Sequence, residues 1–236
     1  MRLALAVAAV VACPAGARAG LHYSGEQFAE LPSRPGGFLT DHRALRAAGY
    51  ERPDGLPSPL RDDYLAAAAR LDALAKARAL TADETADLGA VYVRLGKPDR
   101  AVNLLAPAAR KFPEHFRLAA NLGTAFQLTG NLDRAATQLE EAVRLAPAAL
   151  RPFERAHLKL VTLRVKEGKA AAAPTAVDDL FGMRYASEYG SPAADAERKK
   201  LPADALATVQ QLALWLPADA RLLWQLGELC NALGDV

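Results

Sequence analysis

The side chains best suited to proton transfer or metal ligation near neutral pH are four histidines, His22, His42, His115 and His157. No two sit four residues apart on one helix face and no cysteine cluster accompanies them, so the spacing indicates no metal site and no histidine-centred catalytic group. They read as ordinary surface or interface histidines. Asp41-His42 pairs an acid with a base only in sequence, because adjacent helical residues point to different sides. Asp62-Asp63 falls in the first turn of a predicted helix, where carboxylates complement the helix dipole. Asp178-Asp179-Leu180-Phe181-Gly182 has the acid and the glycine of a magnesium-binding phosphoryl-transfer loop. Leu180 interrupts the triplet, and no glycine-rich loop or partnered lysine goes with it. Arg198-Lys199-Lys200 reads as a solvated helix end before Pro202, and Gly36-Gly37 as a turn without the further glycines and lysine of a phosphate loop. The sequence therefore predicts no catalytic, cofactor-binding or metal-binding residue.

The elements that would carry such residues are organised by a repeat. Leu88-Gly89, Tyr92, Gly96, Ala101, Leu105, Ala108 and Pro113 recur as Leu122-Gly123, Phe126, Gly130, Ala135, Leu139, Ala142 and Pro147, each 34 positions later. Within each unit the apolar and small residues are spaced by three and four, one face of a helix, and a central glycine ends the first of two antiparallel helices. The small residues permit close backbone approach, Tyr92 and Phe126 fill the wider gap, and Pro113 and Pro147 stop the second helix. Thr81 and Glu84 form a capping box that opens the first unit.

These positions resemble the tetratricopeptide-repeat family over 82–115 and 116–149, departing from its pattern at Thr85 and Ala119, where the family places a large residue. The resemblance implies an all-α fold of antiparallel helix hairpins stacked as an α-solenoid. It also implies a concave groove lined by the first helix of each pair. Here that groove would present Val93, Arg94, Arg117, Asn121, Thr124, Gln127 and Leu128. The four longer polar side chains suit a peptide backbone or carboxylate, and Val93 and Leu128 offer apolar contact. Some family members grip a C-terminal carboxylate with lysines and asparagine at such positions; the lysines are missing here, and Asn121 equally suits a bond between neighbouring helices.

Around the two clear units of 81–149 the chain divides into a signal peptide, 1–19, a Pro/Gly-rich N-terminal arm, 20–57, and a capping helix, 58–80, opened by Ser58-Pro59. A degenerate repeat with an irregular insert covers 150–202, with a short helix predicted near Ala176–Leu180. Partial units cover 203–236, an outer helix over 203–216 and an inner one over 219–233. The final helix, lacking a following partner, is expected to leave Leu222, Leu226 and Leu229 uncovered, a surface for self-association, and the sequence to be truncated at Gly234-Asp235-Val236.

Arg2, the apolar stretch Leu3–Ala12 and Ala17-Arg18-Ala19 form a secretion signal, too short to span a bilayer. The alternative is a lipoprotein anchored at Cys13. The first reading removes Cys13 and leaves Cys230 alone, read as a buried, inert thiol. Without Arg2 and Arg18 the remaining basic side chains equal the 27 acidic ones, and no clustered positive excess exists to neutralise phosphates, which argues against nucleic acid as a partner. The predicted protein is an exported, periplasmic or secreted scaffold that binds a protein or peptide. An accessory region of a longer protein and, with least support, an enzyme built on the 176–200 insert are the alternatives.

Overall fold

A computed structural model describes residues 21–28, 30–33, 35–51, 58–168, 177–185 and 193–234, which form ten helices and no strand. The segment 1–19 read as a signal, the Cys13 alternative, Ala176 and the final Asp235-Val236 lie outside the described residues.

The 34-residue periodicity becomes two hairpins, α3 (Ala82–Arg94) with α4 (Pro98–Lys111) and α5 (Phe116–Leu128) with α6 (Leu132–Leu145). Thr81 caps α3 by the reciprocal bonds expected, its hydroxyl accepting from the Glu84 N–H while the Glu84 carboxylate accepts from the Thr81 N–H. Gly96 and Gly130 turn the chain into α4 and α6 at φ of 70° and 77°, a region that side-chain-bearing residues avoid. Each helix packs on the next in sequence from α2 (Pro59–Ala77) through α7 (Arg151–Glu167), and α3 also packs on α5, so first helices line one side of the stack.

The glycine of each Leu-Gly pair is the seat of a leucine from the second helix. A Cβ on Gly89 would meet the Leu105 side chain at 2.5 Å and one on Gly123 the Leu139 side chain at 2.8 Å, and both leucines are fully buried. Gly227 has the same place in the Leu226-Gly227 pair, yet nothing lies within 4 Å of it. The three sites therefore respond differently to one substitution. Gly89→Ala or Gly123→Ala overpacks a filled core and costs about 1–3 kcal/mol, whereas Gly227→Ala gains about 0.5–1 kcal/mol from helix propensity alone. Thermal melts of the three variants, with opposite signs of the change in Tm, check this.

Beyond the hairpins the arrangement departs from a simple row. The segment read as an arm contains a helix, α1 (Pro35–Ala48), whose buried stripe is Phe38, His42, Leu45 and Ala48. A histidine within that stripe and prolines and glycines around it hid the helical period. α9 (Ala205–Trp215), read as an outer helix, is instead enclosed: every residue except Leu206 is buried, and it packs on α7, α1 and α10 (Ala220–Leu233). Leu222, Leu226 and Leu229 are not an open face; they are buried. The insert helps to cover α10, since Gln225 donates to the Asp178 carbonyl and Ala232 packs with Met183 and Ala193. Residues 177–180 are not helical, and Cys230 is half-buried.

The insert is anchored by charge. Asp178, nearly inaccessible, accepts from Arg164 of α7 at 3.0 Å and from Arg221 of α10 at 2.8 Å, and the same guanidinium groups reach Asp219 and Glu167. Its role is to tie the insert to two helices, which accounts for the acidic pair noticed in the sequence. α8 (Asp195–Arg198) is a single turn in this region.

Candidate peptide-binding groove

The groove formed by the first helices is already occupied by the chain's own residues 21–28 and 30–33. Asn121, on α5 and fully buried, accepts from the His22 N–H at 2.7 Å and donates to the His22 carbonyl at 3.1 Å, so one carboxamide reads both main-chain groups of a residue 99 positions away. Gln210 of α9 does the same at the other end of the arm, accepting from the Ser33 N–H and donating to the Ser33 carbonyl, both at 2.9 Å. Neither clamp involves the side chain of the arm residue it holds.

Between the clamps the chain turns, with the Glu26 N–H donating to the Tyr23 carbonyl, so that His22 and Glu26 are buried against the scaffold while Ser24 stays exposed at its rim. The His22 ring lies edge-on to Phe116, with centroids 4.6 Å apart, and its Nε2 lies 3.2 Å from Glu154. Ser24 donates to Asp87 through its N–H at 3.0 Å and its hydroxyl at 2.6 Å. Glu26 takes a bidentate pair of bonds from Arg94, at 2.7 and 2.9 Å, and a third from the Tyr64 hydroxyl at 2.7 Å. Arg94 and Glu26 are both buried, and although burial alone would lower the guanidinium pKa, Glu26 outweighs it and the net direction is upward. Burial and the adjacent Glu26 carboxylate push the Tyr64 phenol well above its ordinary range.

The predicted groove residues thus have definite places. Arg94 holds a carboxylate and Asn121 a backbone, both from the chain's own arm, and Asn121 also bonds the Ala86 carbonyl of α3 at 2.9 Å. Arg117 pairs with Asp83 and Asp87. Gln127 is buried with its carboxamide oxygen 2.6 Å from His157, Thr124 is buried and donates to the Ala120 carbonyl of its own helix, and Val93 is buried. Leu128, 41% exposed at the end of α5, remains accessible.

The histidines correct the sequence reading. His22, His42 and His157 are buried, and His115 caps α5 by accepting from the Leu118 N–H. Burial, then the nearby charge of Arg164 and His22, depresses His157 to about 3. Its Nε2 is committed to Gln127 and its Nδ1 has no partner, so a second proton would have nothing to bond. No group of three or more potential ligands could hold a metal among the described residues, and no helix among them is long and apolar enough to cross a membrane. The arm's place in the groove was not legible because its hydrogen-bond partners lie 38 to 177 positions away and are single polar residues without a period.

A second concavity, of about 520 Å³, opens between α4 and α6 over Leu122 and Phe126. Two of its arginines are engaged, Arg144 with Glu114 and Glu141, and Arg134 over the Phe126 ring.

Residues 86–149 match the family described as Tetratricopeptide repeat. Neither the curated proteins nor the solved structures contain a match to the chain.

Proposed function

Since residues 86–149 match the tetratricopeptide-repeat family, whose repeats typically serve as protein-interaction scaffolds, we propose that this protein is a non-enzymatic adaptor of a bacterial cell envelope that holds a polypeptide segment in its concave groove. The observation that carries this reading is the arm itself: the groove holds a segment without helix or strand through its backbone, by Asn121 and Gln210, and through its side chains, by Asp87 and Arg94. The envelope location rests on the secretion signal at 1–19. Cleavage after Ala19 would place His22 third in the mature chain, so the arm could leave the groove as a free end without threading a loop.

A photo-cross-linking side chain introduced at Leu128, beside one at Glu140 on the exposed side of α6, tests the reading in the protein's own host. Adducts with another protein at Leu128 and none at Glu140 support groove binding. Adducts at Glu140 alone would move the partner to the outer face. The mass of the isolated chain, beginning at Gly20, tests export.

A further inference from the structure

The contacts around the arm are of two kinds, those made to the arm and those made within the scaffold by the same residues. Asn121 bonds Ala86 as well as His22. Asp87 is held by Arg117 as well as by Ser24. Arg94 donates to the Leu214 carbonyl at 2.7 Å as well as to Glu26. These three recognising side chains therefore have scaffold partners that fix their positions without the arm, the condition for a preformed binding site. The arm owes its position to these groove contacts and not to secondary structure of its own. Residues 21–28 form no helix or strand, and their one main-chain bond of local type runs from the Glu26 N–H to the Tyr23 carbonyl.

We infer, resting on the groove-binding reading above, that the arm is an internal stand-in for a partner protein's segment of the same chemistry: a peptide with an imidazole or aromatic ring at one position, a small hydroxyl two residues on and a carboxylate four residues on, the chain turning between ring and carboxylate as 23–26 does here. Phe116 selects the ring by edge-to-face contact. Asp87 selects the hydroxyl and excludes a carboxylate at that position by charge repulsion. Arg94 with Tyr64 selects the final carboxylate, because a neutral residue there leaves a desolvated guanidinium without its counter-charge. Asn121 contributes affinity independent of sequence. The partner enters as the arm leaves, so the arm sets a threshold that weak or mismatched segments do not cross.

The test uses the full chain and a fluorescent octapeptide of residues Leu21–Phe28. In the full chain, Ser24→Glu sets a carboxylate against Asp87 and expels the arm while leaving every recognising residue in place. Fluorescence anisotropy is expected to give at least a ten-fold tighter complex of the octapeptide with this variant than with the parent. An octapeptide carrying Glu26→Gln is expected to bind the variant at least ten-fold more weakly than the unmodified one. Hydrogen exchange on the parent is expected to show residues 21–28 exchanging at least ten-fold faster than α3 and α5, since the stand-in opens locally. A folded Ser24→Glu chain with no gain in peptide affinity overturns the inference. So does a parent whose 21–28 amides exchange in step with α3 and α5, a measurement that decides the matter even where the variant does not fold. A parent chain that sediments as an arm-exchanged dimer assigns the groove to a second copy and overturns the partner assignment. Peptide failure together with intact cross-linking at Leu128 rejects this motif and leaves the scaffold reading standing, whereas peptide binding without any cross-link rejects the scaffold reading.

Discussion

Glu26→Ala is expected to lower the free energy of unfolding by about 3 kcal/mol, the lower end of what removing one partner of a buried ion pair costs. The carboxylate accepts two bonds from Arg94 and one from Tyr64, and both members of the ion pair are nearly inaccessible. Without it the guanidinium stays buried with only neutral partners, the Leu214 carbonyl and the Tyr64 hydroxyl, to meet it. The arm can relieve this by leaving the groove, which caps the loss at the free energy that orders the arm. Urea denaturation of the parent, Glu26→Ala, and Glu26→Leu combined with Arg94→Met checks the argument. The double variant, with both charges gone and apolar volume in their place, should recover most of the loss. A single variant within about 0.5 kcal/mol of the parent would mean that water already reaches the pair, and the groove would not be sealed by its arm.

Acidification is expected to destabilise the fold well before its carboxylates titrate. In the unfolded chain His157 takes up a proton near its ordinary value of 6.5, but in the folded chain only near 3. Between those values the unfolded state binds more protons, so stability falls as pH falls. The contribution of the neutral ring is complete above about pH 6.5 and diminishes by roughly 1.4 kcal/mol per pH unit below it, on the order of 3 kcal/mol by about pH 4.5. His42 adds in the same direction. Burial, then Arg46 and Arg43 on its own helix, lower its pKa, opposed by a bond to the Pro217 backbone. His157→Gln keeps a polar group beside Gln127 but removes the titration. Chemical denaturation between pH 7.5 and 4.5 should show a steep slope in the parent and a shallow one, due to His42, in this variant. Equal slopes would mean that His157 is hydrated in the folded chain.

Both effects come from residues whose roles were not legible in the sequence, and the contrast with those that were is instructive. The hairpins of 82–149 could be read because hairpin packing is local. A helix must place its small and apolar residues every three or four positions to meet its neighbour, and a stacked unit must repeat that pattern at a constant offset, so Gly89 and Leu105 announce each other again in Gly123 and Leu139. The capping box at Thr81 and Glu84 is local in the same way, two reciprocal bonds within one turn. The groove residues were legible as positions and not as contacts. Arg94, Asn121 and Gln127 could be assigned to the first helices, but nothing near them in sequence says that Glu26, His22 and His157 would meet them.

α10 illustrates the same limit. Its inner leucines follow the repeat, and from the repeat alone they should be bare. They are covered because the chain inserts α9 and the 177–185 segment against that end of the stack, through Asp178 and its two arginines and the Met183 cluster. An irregular segment can satisfy a helix face without showing any period of its own, since burial asks only for apolar area and paired polar groups.

The sequence alone thus determined the repeat, where its helices turn and the family that 86–149 matches, because those are set by contacts between residues a turn or one hairpin apart. The tertiary structure alone decided that the groove is occupied, by which residues and with what pairing. Those bonds join residues as far as 99 and 177 positions apart, one polar side chain to one backbone, and a single such bond leaves no pattern along the chain.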